Sequence, residues 1–262
     1  MAEEQIRFDD GAAYEDFMGR WSRLAGEAFL DWLSPAARLR WLDVGCGNGA
    51  FTQLLADRCA VREVLGVDPS AELLAFARAR LAGAPVAFRQ GNAMALPVPD
   101  GTFDAAVMAL VIFFVPDPAK GVAEMARAVR PGGGVCAYAW DLPGGGFPYF
   151  ALHEEMVRLG QQPPGPPHPE AAHLEALRQS WTDAGLVDVE THAIVVERSF
   201  ADFEAFWATA RQGPGSASPL SEPQRADARL LKTRVRERLG GAADGRVTVT
   251  ARAHAVRGRK PG

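Results

Sequence analysis

The chain has 262 residues, 48% of them hydrophobic and 23% charged, with a formal net charge of −4. Those proportions suit a folded globular protein with a real core, and the mildly acidic balance argues against a general binder of nucleic acid or anionic membrane. No apolar run reaches the about eighteen residues that a transmembrane helix needs. The opening MAEEQIRFDD lacks the basic start and apolar stretch of a signal peptide, so a cytoplasmic setting is expected. Cys46, Cys59 and Cys136 are too scattered for a disulfide framework or a zinc site, and no metal is expected.

Residues 14–33 read as one or two helices, with Ala25, Ala28, Phe29 and Trp32 on one face. Residues 39–44 read as a strand that stops at Gly45, and Phe51, Leu54 and Leu55 then mark a helix. The next strand, 63–67, ends at Asp68-Pro69-Ser70, and Leu74, Ala77 and Leu81 continue with helical spacing. A short strand at 86–88 and a longer one at 103–109 follow. Val122, Met125, Ala126 and Val129 give a helix face closed by Pro131-Gly132-Gly133, and 134–140 is a fifth strand. Such alternation predicts a doubly wound, mostly parallel sheet, whose ligands bind beyond the carboxyl ends of the strands.

Residues 142–173 form a Gly- and Pro-rich connection, and Leu174, Leu177 and Trp181 mark the next helix. The alternating strands 187–196 and 247–251 flank an insertion, 200–244, with Phe203, Phe206 and Trp207 on one helical face. The stretch from Gly213 to Pro219 breaks that insertion, and a charged helix resumes from Leu230 to Leu239. Arg229, Lys232, Arg234, Arg236 and Arg238 read as its solvated face. The expected organisation is one domain: a helical cover (1–38), a ligand-binding core (39–141), a connection with helix and strand (142–199), a lid (200–244), and a last strand and tail (245–262).

The turn after the first strand spaces its glycines as G-x-G-x-G, at Gly45, Gly47 and Gly49. Dinucleotide binders use G-x-G-x-x-G instead, which disfavours a nicotinamide oxidoreductase. Asp43 precedes the turn, where a carboxylate suits a cationic ligand group and disfavours a pyrophosphate. Asp68 ends the second strand at about the twenty-residue interval from which an acid meets ribose hydroxyls. The plainer reading makes the glycines a tight connection and Ser70 a helix cap.

Leu42-Asp-Val-Gly-Cys-Gly-Asn-Gly49, then Gly66-Val-Asp-Pro-Ser70, then Gly91-Asn-Ala93 with Leu96-Pro97 and Phe103-Asp104, then Val129-Arg-Pro-Gly-Gly133 stand in order. Together they resemble the signature of class I S-adenosylmethionine-dependent methyltransferases, in particular the subgroup acting on quinones and other small molecules. The resemblance implies a seven-stranded, Rossmann-like methyltransferase fold with N-terminal helices and a helical lid insertion. It implies S-adenosyl-L-methionine as cofactor and S-adenosyl-L-homocysteine as product. Asp43, Gly45, Cys46 and Gly47 would hold the methionine end. Asp68 would grip the ribose, with Pro69 and Ser70 beside the adenine, and Asn92, Ala93 and Met94 would contact the adenine edge. Position 92 departs from the commoner Asp, which replaces a charge-assisted bond with a neutral one. Ala109 and Leu110 would lie near the transferable methyl, and Tyr14, Met18, Arg20 and Trp21 would close over the cofactor.

Methyl transfer from a sulfonium needs positioning more than a base, so no catalytic residue is required by the signature. Residues 109–114, ALVIFF, replace the Asp/Asn-Pro-Pro-aromatic run that accompanies amino methylation of DNA bases, which points to an apolar acceptor with an O or C nucleophile. Phe113, Phe114, Trp140 and Trp207 are acceptor-pocket candidates, with core packing as the competing reading. Among five histidines, His153 is the one placed for acid–base work, shortly after the fifth strand, whereas His192 and His254 read as surface or sheet residues. The expected partner is a small-molecule methyl acceptor, with no nucleic acid and no membrane span, the chain being a monomer or homodimer. The rival readings are a non-catalytic cofactor-binding module and a methyltransferase acting on a protein or nucleic acid.

Overall fold

The computed structural model describes residues 15–212, 222–240, 242 and 244–262. Tyr14 and the break from Gly213 to Pro219 lie outside the described residues. Seven strands form one sheet: β1 (Arg40–Val44), β2 (Glu63–Asp68), β3 (Val86–Gln90), β4 (Phe103–Ala109), β5 (Val129–Trp140), β6 (Val187–Phe200) and β7 (Val247–Arg259). Their order is β3-β2-β1-β4-β5-β7-β6, with β7 antiparallel to both neighbours and the other pairs parallel. The doubly wound, mostly parallel sheet is therefore present, and the strand order reverses between β1 and β4.

The helices are α1 (Arg20–Leu33), α2 (Ala50–Arg58), α3 (Ala71–Arg80), α4 (Pro118–Ala128), α5 (Phe150–Arg158), α6 (Leu174–Asp183), α7 (Phe203–Ala210) and α8 (Glu222–Leu239). Strand alternation sets which helix covers which face. Tyr138 meets Phe29 of α1 and Phe51 of α2 on one face, at 4.7 and 5.6 Å between ring centres. Met108 points the other way, where Gly121 of α4 comes close enough that a Cβ would sit 3.2 Å from its Cε. The α6 indole of Trp181 is fully buried and donates to the Val135 carbonyl at 2.9 Å. Polar caps start several helices: Ser70 accepts from Leu73 N at 3.2 Å, Asp117 from Lys120 N at 3.0 Å, and Asp202 from Ala205 N at 2.8 Å.

Several boundaries differ from the sequence expectation: the sixth and seventh strands run on to Phe200 and Arg259, past the expected 196 and 251. Val129 begins β5 opposite Phe103 instead of ending a helix, and Pro131-Gly132-Gly133 lies within the strand at an irregularity in the β4–β5 pairing. A Cβ on Gly133 would fall 2.6 Å from the Asp104 carbonyl oxygen, so the glycine serves close backbone approach and not helix termination. Strand β3 also runs two residues past the expected 86–88.

Candidate active site

The carboxyl ends of β1 and β2 and the turn between β1 and α2 form the candidate site. Gly45 has φ +77°, and a Cβ there would lie 2.5 Å from Val111, so only glycine fits. Gly47, at φ +52°, differs: a Cβ there would meet no protein atom within 4 Å, leaving room for a ligand against the backbone. Its N–H donates to Asp68 Oδ2 at 2.9 Å, and Ser70 N–H donates to Asp68 Oδ1 at 2.9 Å. Burial raises the Asp68 pKa, and those two amides oppose the rise. Each carboxylate oxygen keeps a lone pair for a further donor.

Asp43 is fully buried on β1. Its Oδ2 accepts from Thr52 Oγ at 2.6 Å, and its Oδ1 has no hydrogen-bond partner among the described residues. Burial pushes its pKa up to about 7, with the Thr52 bond opposing and the nearby Asp68 adding to the rise. A buried carboxylate with an unmet oxygen suits a cationic group. Burial also raises the Cys46 thiol well above its ordinary range, which makes Cys46 a small packed residue and not a nucleophile.

At the end of β3, Asn92 Oδ1 accepts from Met94 N–H at 2.8 Å, so the side chain shapes its own turn and leaves its NH₂ for another partner. Ala93 and Met94 pack against the core. Gln90 Nε2 donates to the Pro69 carbonyl at 2.9 Å and steadies the turn after β2. Beyond β4, Ala109 pairs with Tyr138, and Leu110 adopts φ +62°, rare outside glycine, with its N–H bonded to Tyr138 O at 2.8 Å.

The apolar candidates separate by exposure. Phe114 is 45% exposed and meets the 4% exposed Phe113 edge-on, at 4.8 Å. Trp140 is 2% exposed, and its buried indole Nε1 has no hydrogen-bond partner among the described residues. Met18 and Trp21 are likewise core residues, whereas Arg20 is exposed.

Three segments far apart in sequence meet in one aromatic cluster. Phe17 stacks on Tyr149 at 4.4 Å, and the Tyr149 hydroxyl donates to the Phe17 carbonyl at 2.7 Å. Phe206 of α7 lies 6.0 Å from Tyr149, and Trp207 stacks on Phe203 at 6.0 Å. His153 on α5 lies 4.9 Å from Phe147, and burial lowers its pKa to about 4, so its ring is neutral at pH 7. The basic face of α8 is not simply solvated: Lys232 pairs with Glu204 at 2.6 Å, Arg236 pairs with the same carboxylate, and Arg238 reaches Glu155 at 3.3 Å. Neither Thr52 nor Tyr149 stands out in the sequence, because each acts on a partner that only the fold brings near.

A separate cavity of about 330 Å³ lies at the opposite, amino end of the parallel strands, lined by Leu39, Trp41, Gly134 and Arg257 among others. Its rim charges pair with one another, as Arg130–Asp104, Arg257–Glu190 and Arg259–Asp188. No cluster of His, Cys, Asp or Glu able to hold a metal occurs among the described residues. No helix among them is long and apolar enough to cross a membrane.

Residues 42–137 match a family described as a methyltransferase domain. A demethylmenaquinone methyltransferase from Thermus thermophilus is 37% identical over 116 residues, which is 44% of this chain and 51% of that protein. A trans-aconitate 2-methyltransferase from Methylobacterium nodulans is 36% identical over 176 residues, 66% of this chain and 62% of that protein. The chain spans about two fifths to three fifths of the length of the curated relatives it matches. In fold it resembles the phosphoethanolamine N-methyltransferase 2 of Haemonchus contortus, solved with S-adenosyl-L-methionine. That likeness has a TM-score of 0.60 at 20% identity and covers 96% of this chain and 56% of the other.

Proposed function

We propose that this chain, whose residues 42–137 match a methyltransferase domain, is a class I S-adenosylmethionine-dependent methyltransferase that transfers a methyl group to an O or C nucleophile of a small, mainly apolar molecule. The observation that carries the reading is the site at the ends of β1 and β2. There an open Gly47 backbone, the Asp68 carboxylate and the unpartnered Asp43 oxygen share one turn.

S-adenosylmethionine, when bound, supplies an electrophilic methyl group on a sulfonium. The residues present fit it. Asp43, buried behind the turn, would favour the ammonium of the methionine end through its charge, and Gly45 and Gly47 would let the backbone approach. Asp68 would accept from the ribose hydroxyls with its remaining lone pairs. Asn92 would offer its NH₂ to the adenine ring, and Ala93 and Met94 would give an apolar edge. Ala109 and the left-handed Leu110 would lie near the methyl. Phe113 and Phe114, with the cover of Phe17, Tyr149, Phe206 and Trp207, exclude water from an apolar acceptor. Holding the nucleophile near the methyl then supplies much of the acceleration. The neutral His153 ring accepts a hydrogen bond from an acceptor hydroxyl and orients it. Both curated relatives described above are named for small molecules, which supports a small acceptor.

Calorimetry with S-adenosylmethionine, S-adenosylhomocysteine and NAD tests the cofactor, and a screen of phenols, quinols and carboxylic acids that follows S-adenosylhomocysteine release tests the acceptor. Binding of the first two and not NAD, with turnover on one class, is expected. Preference for NAD would overturn the reading. Cofactor binding with turnover only on protein or nucleic acid would replace the acceptor class.

A further inference from the structure

The end of β5 carries a buried polar cluster outside the cofactor turn. Asp141 is 2% exposed, and its Oδ1 accepts from Gly144 N–H at 3.0 Å. Its Oδ2 accepts from Arg252 Nε at 2.8 Å, and the same guanidinium donates to the Gly144 carbonyl at 2.9 Å. His254, also buried, lies on β7 opposite Ala139, with Nδ1 2.9 Å from the Ala172 carbonyl and Nε2 3.5 Å from Asp141 Oδ2. A carbonyl only accepts, so Nδ1 carries the proton and the ring orientation is determined.

Ala172 ends a single 3₁₀ turn, Pro169–Ala172, and the other end of that turn is tied to the post-β4 segment: His168 N–H donates to the Phe113 carbonyl at 3.1 Å. The connection therefore runs from His254 on β7 through the Pro169–Ala172 turn to Phe113. Gly and Pro supply every residue from 163 to 167, which gives this stretch little secondary structure of its own. A buried side-chain tie from the sheet is what such a segment needs to keep one position.

We infer that His254 is a positioning residue which holds the Pro169–Ala172 turn and through it the Phe113–Phe114 wall of the acceptor side. That the wall faces an acceptor rests on the proposed function. The tie itself does not.

Hydrogen exchange resolved by residue tests it on the full chain, for wild type, His254→Ala, His254→Asn and His254→Phe. Asn places an amide nitrogen near the position of Nδ1. His254→Ala should speed exchange roughly five- to tenfold at both 168–173 and 112–114, the loss of about one hydrogen bond. His254→Asn should restore much of the protection, and β1 and β2 should be unchanged. His254→Phe, which keeps the ring volume and loses the Nδ1 donor, should loosen 168–173 and 112–114 in the same way, which keeps the test alive if His254→Ala does not fold. Faster exchange confined to 252–256 in either variant would overturn the inference. Calorimetry with S-adenosylmethionine on the same samples should give unchanged affinity. If wild type fails to bind it, the proposed function falls while the exchange data still decide the tie.

Discussion

Asp43 is the residue whose chemistry the fold alters most. An ammonium beside it favours the carboxylate, so below about pH 7 binding must first displace a proton. S-adenosylmethionine affinity should therefore rise as pH goes from 5.5 to 7, by up to about tenfold per unit for one linked proton. Asp43→Asn should weaken binding and remove the slope. Calorimetry across that window checks both, and a wild-type slope that survives in Asp43→Asn would move the linkage to another group. Asp68→Ala removes an acceptor already held by the Gly47 and Ser70 amides. Losing its bonds to ribose should cost about 1.5–3 kcal/mol of cofactor affinity, with the chain still folded. Asp43, Gly47 and Asp68 were legible because the turn that unites them follows strand ends marked by local pattern. Thr52, which completes Asp43, sits in a helix whose apolar spacing gives no reason to single it out. His254 reads as a surface or sheet residue and does lie on β7; its alternation could not show the Ala172 carbonyl that it meets, 82 positions away.

At the scale of elements, periodicity located the strands and helices of the core, since each is a run whose apolar residues must face one sheet. It failed at Val129–Gly133, where Pro-Gly-Gly ordinarily stops a helix. There the glycines serve an irregular strand start, and only the Asp104 backbone across the pair shows why. The insertion is the other case. Phe203, Phe206 and Trp207 did fall on one helical face, yet nothing local revealed that this face meets Tyr149 and, through it, Phe17. Trp207 is 9% exposed and stacked on Phe203, so Trp207→Ala should cost stability of about 3 kcal/mol. Cofactor affinity should stay the same, because the turn and Asp68 lie outside the cluster. Chemical denaturation and calorimetry on one variant separate the two effects. A folded, fully stable Trp207→Ala would remove α7 from the packed cover.

Over the whole molecule, two buried groups titrate in opposite senses across one pH window. Asp43 holds its proton in the folded state up to about 7 against an ordinary value of 3.8. Its contribution to stability is therefore complete below about pH 4 and is lost as pH rises through 7. His153 is lowered from 6.5 to about 4 by burial. Its contribution is complete above 6.5 and is lost as pH falls towards 4. Between those limits the folded chain keeps one proton on Asp43 that the unfolded chain has released. It lacks one on His153 that the unfolded chain holds. The two slopes, each about 1.4 kcal/mol per pH unit, then nearly cancel. Comparing variants removes every group they share. His153→Phe should leave the Asp43 slope exposed, so that stability relative to wild type falls as pH climbs from 4.5 to 6.5. Asp43→Asn should leave the His153 slope, with stability relative to wild type climbing over the same range. Saturating S-adenosylmethionine, by ionising Asp43, should give wild type the slope of Asp43→Asn. Urea denaturation at pH 4.5, 5.5 and 6.5 measures all of these. Parallel curves for the three proteins would mean that neither group changes its protonation on folding, and the electrostatic account of the cofactor turn would fail with them.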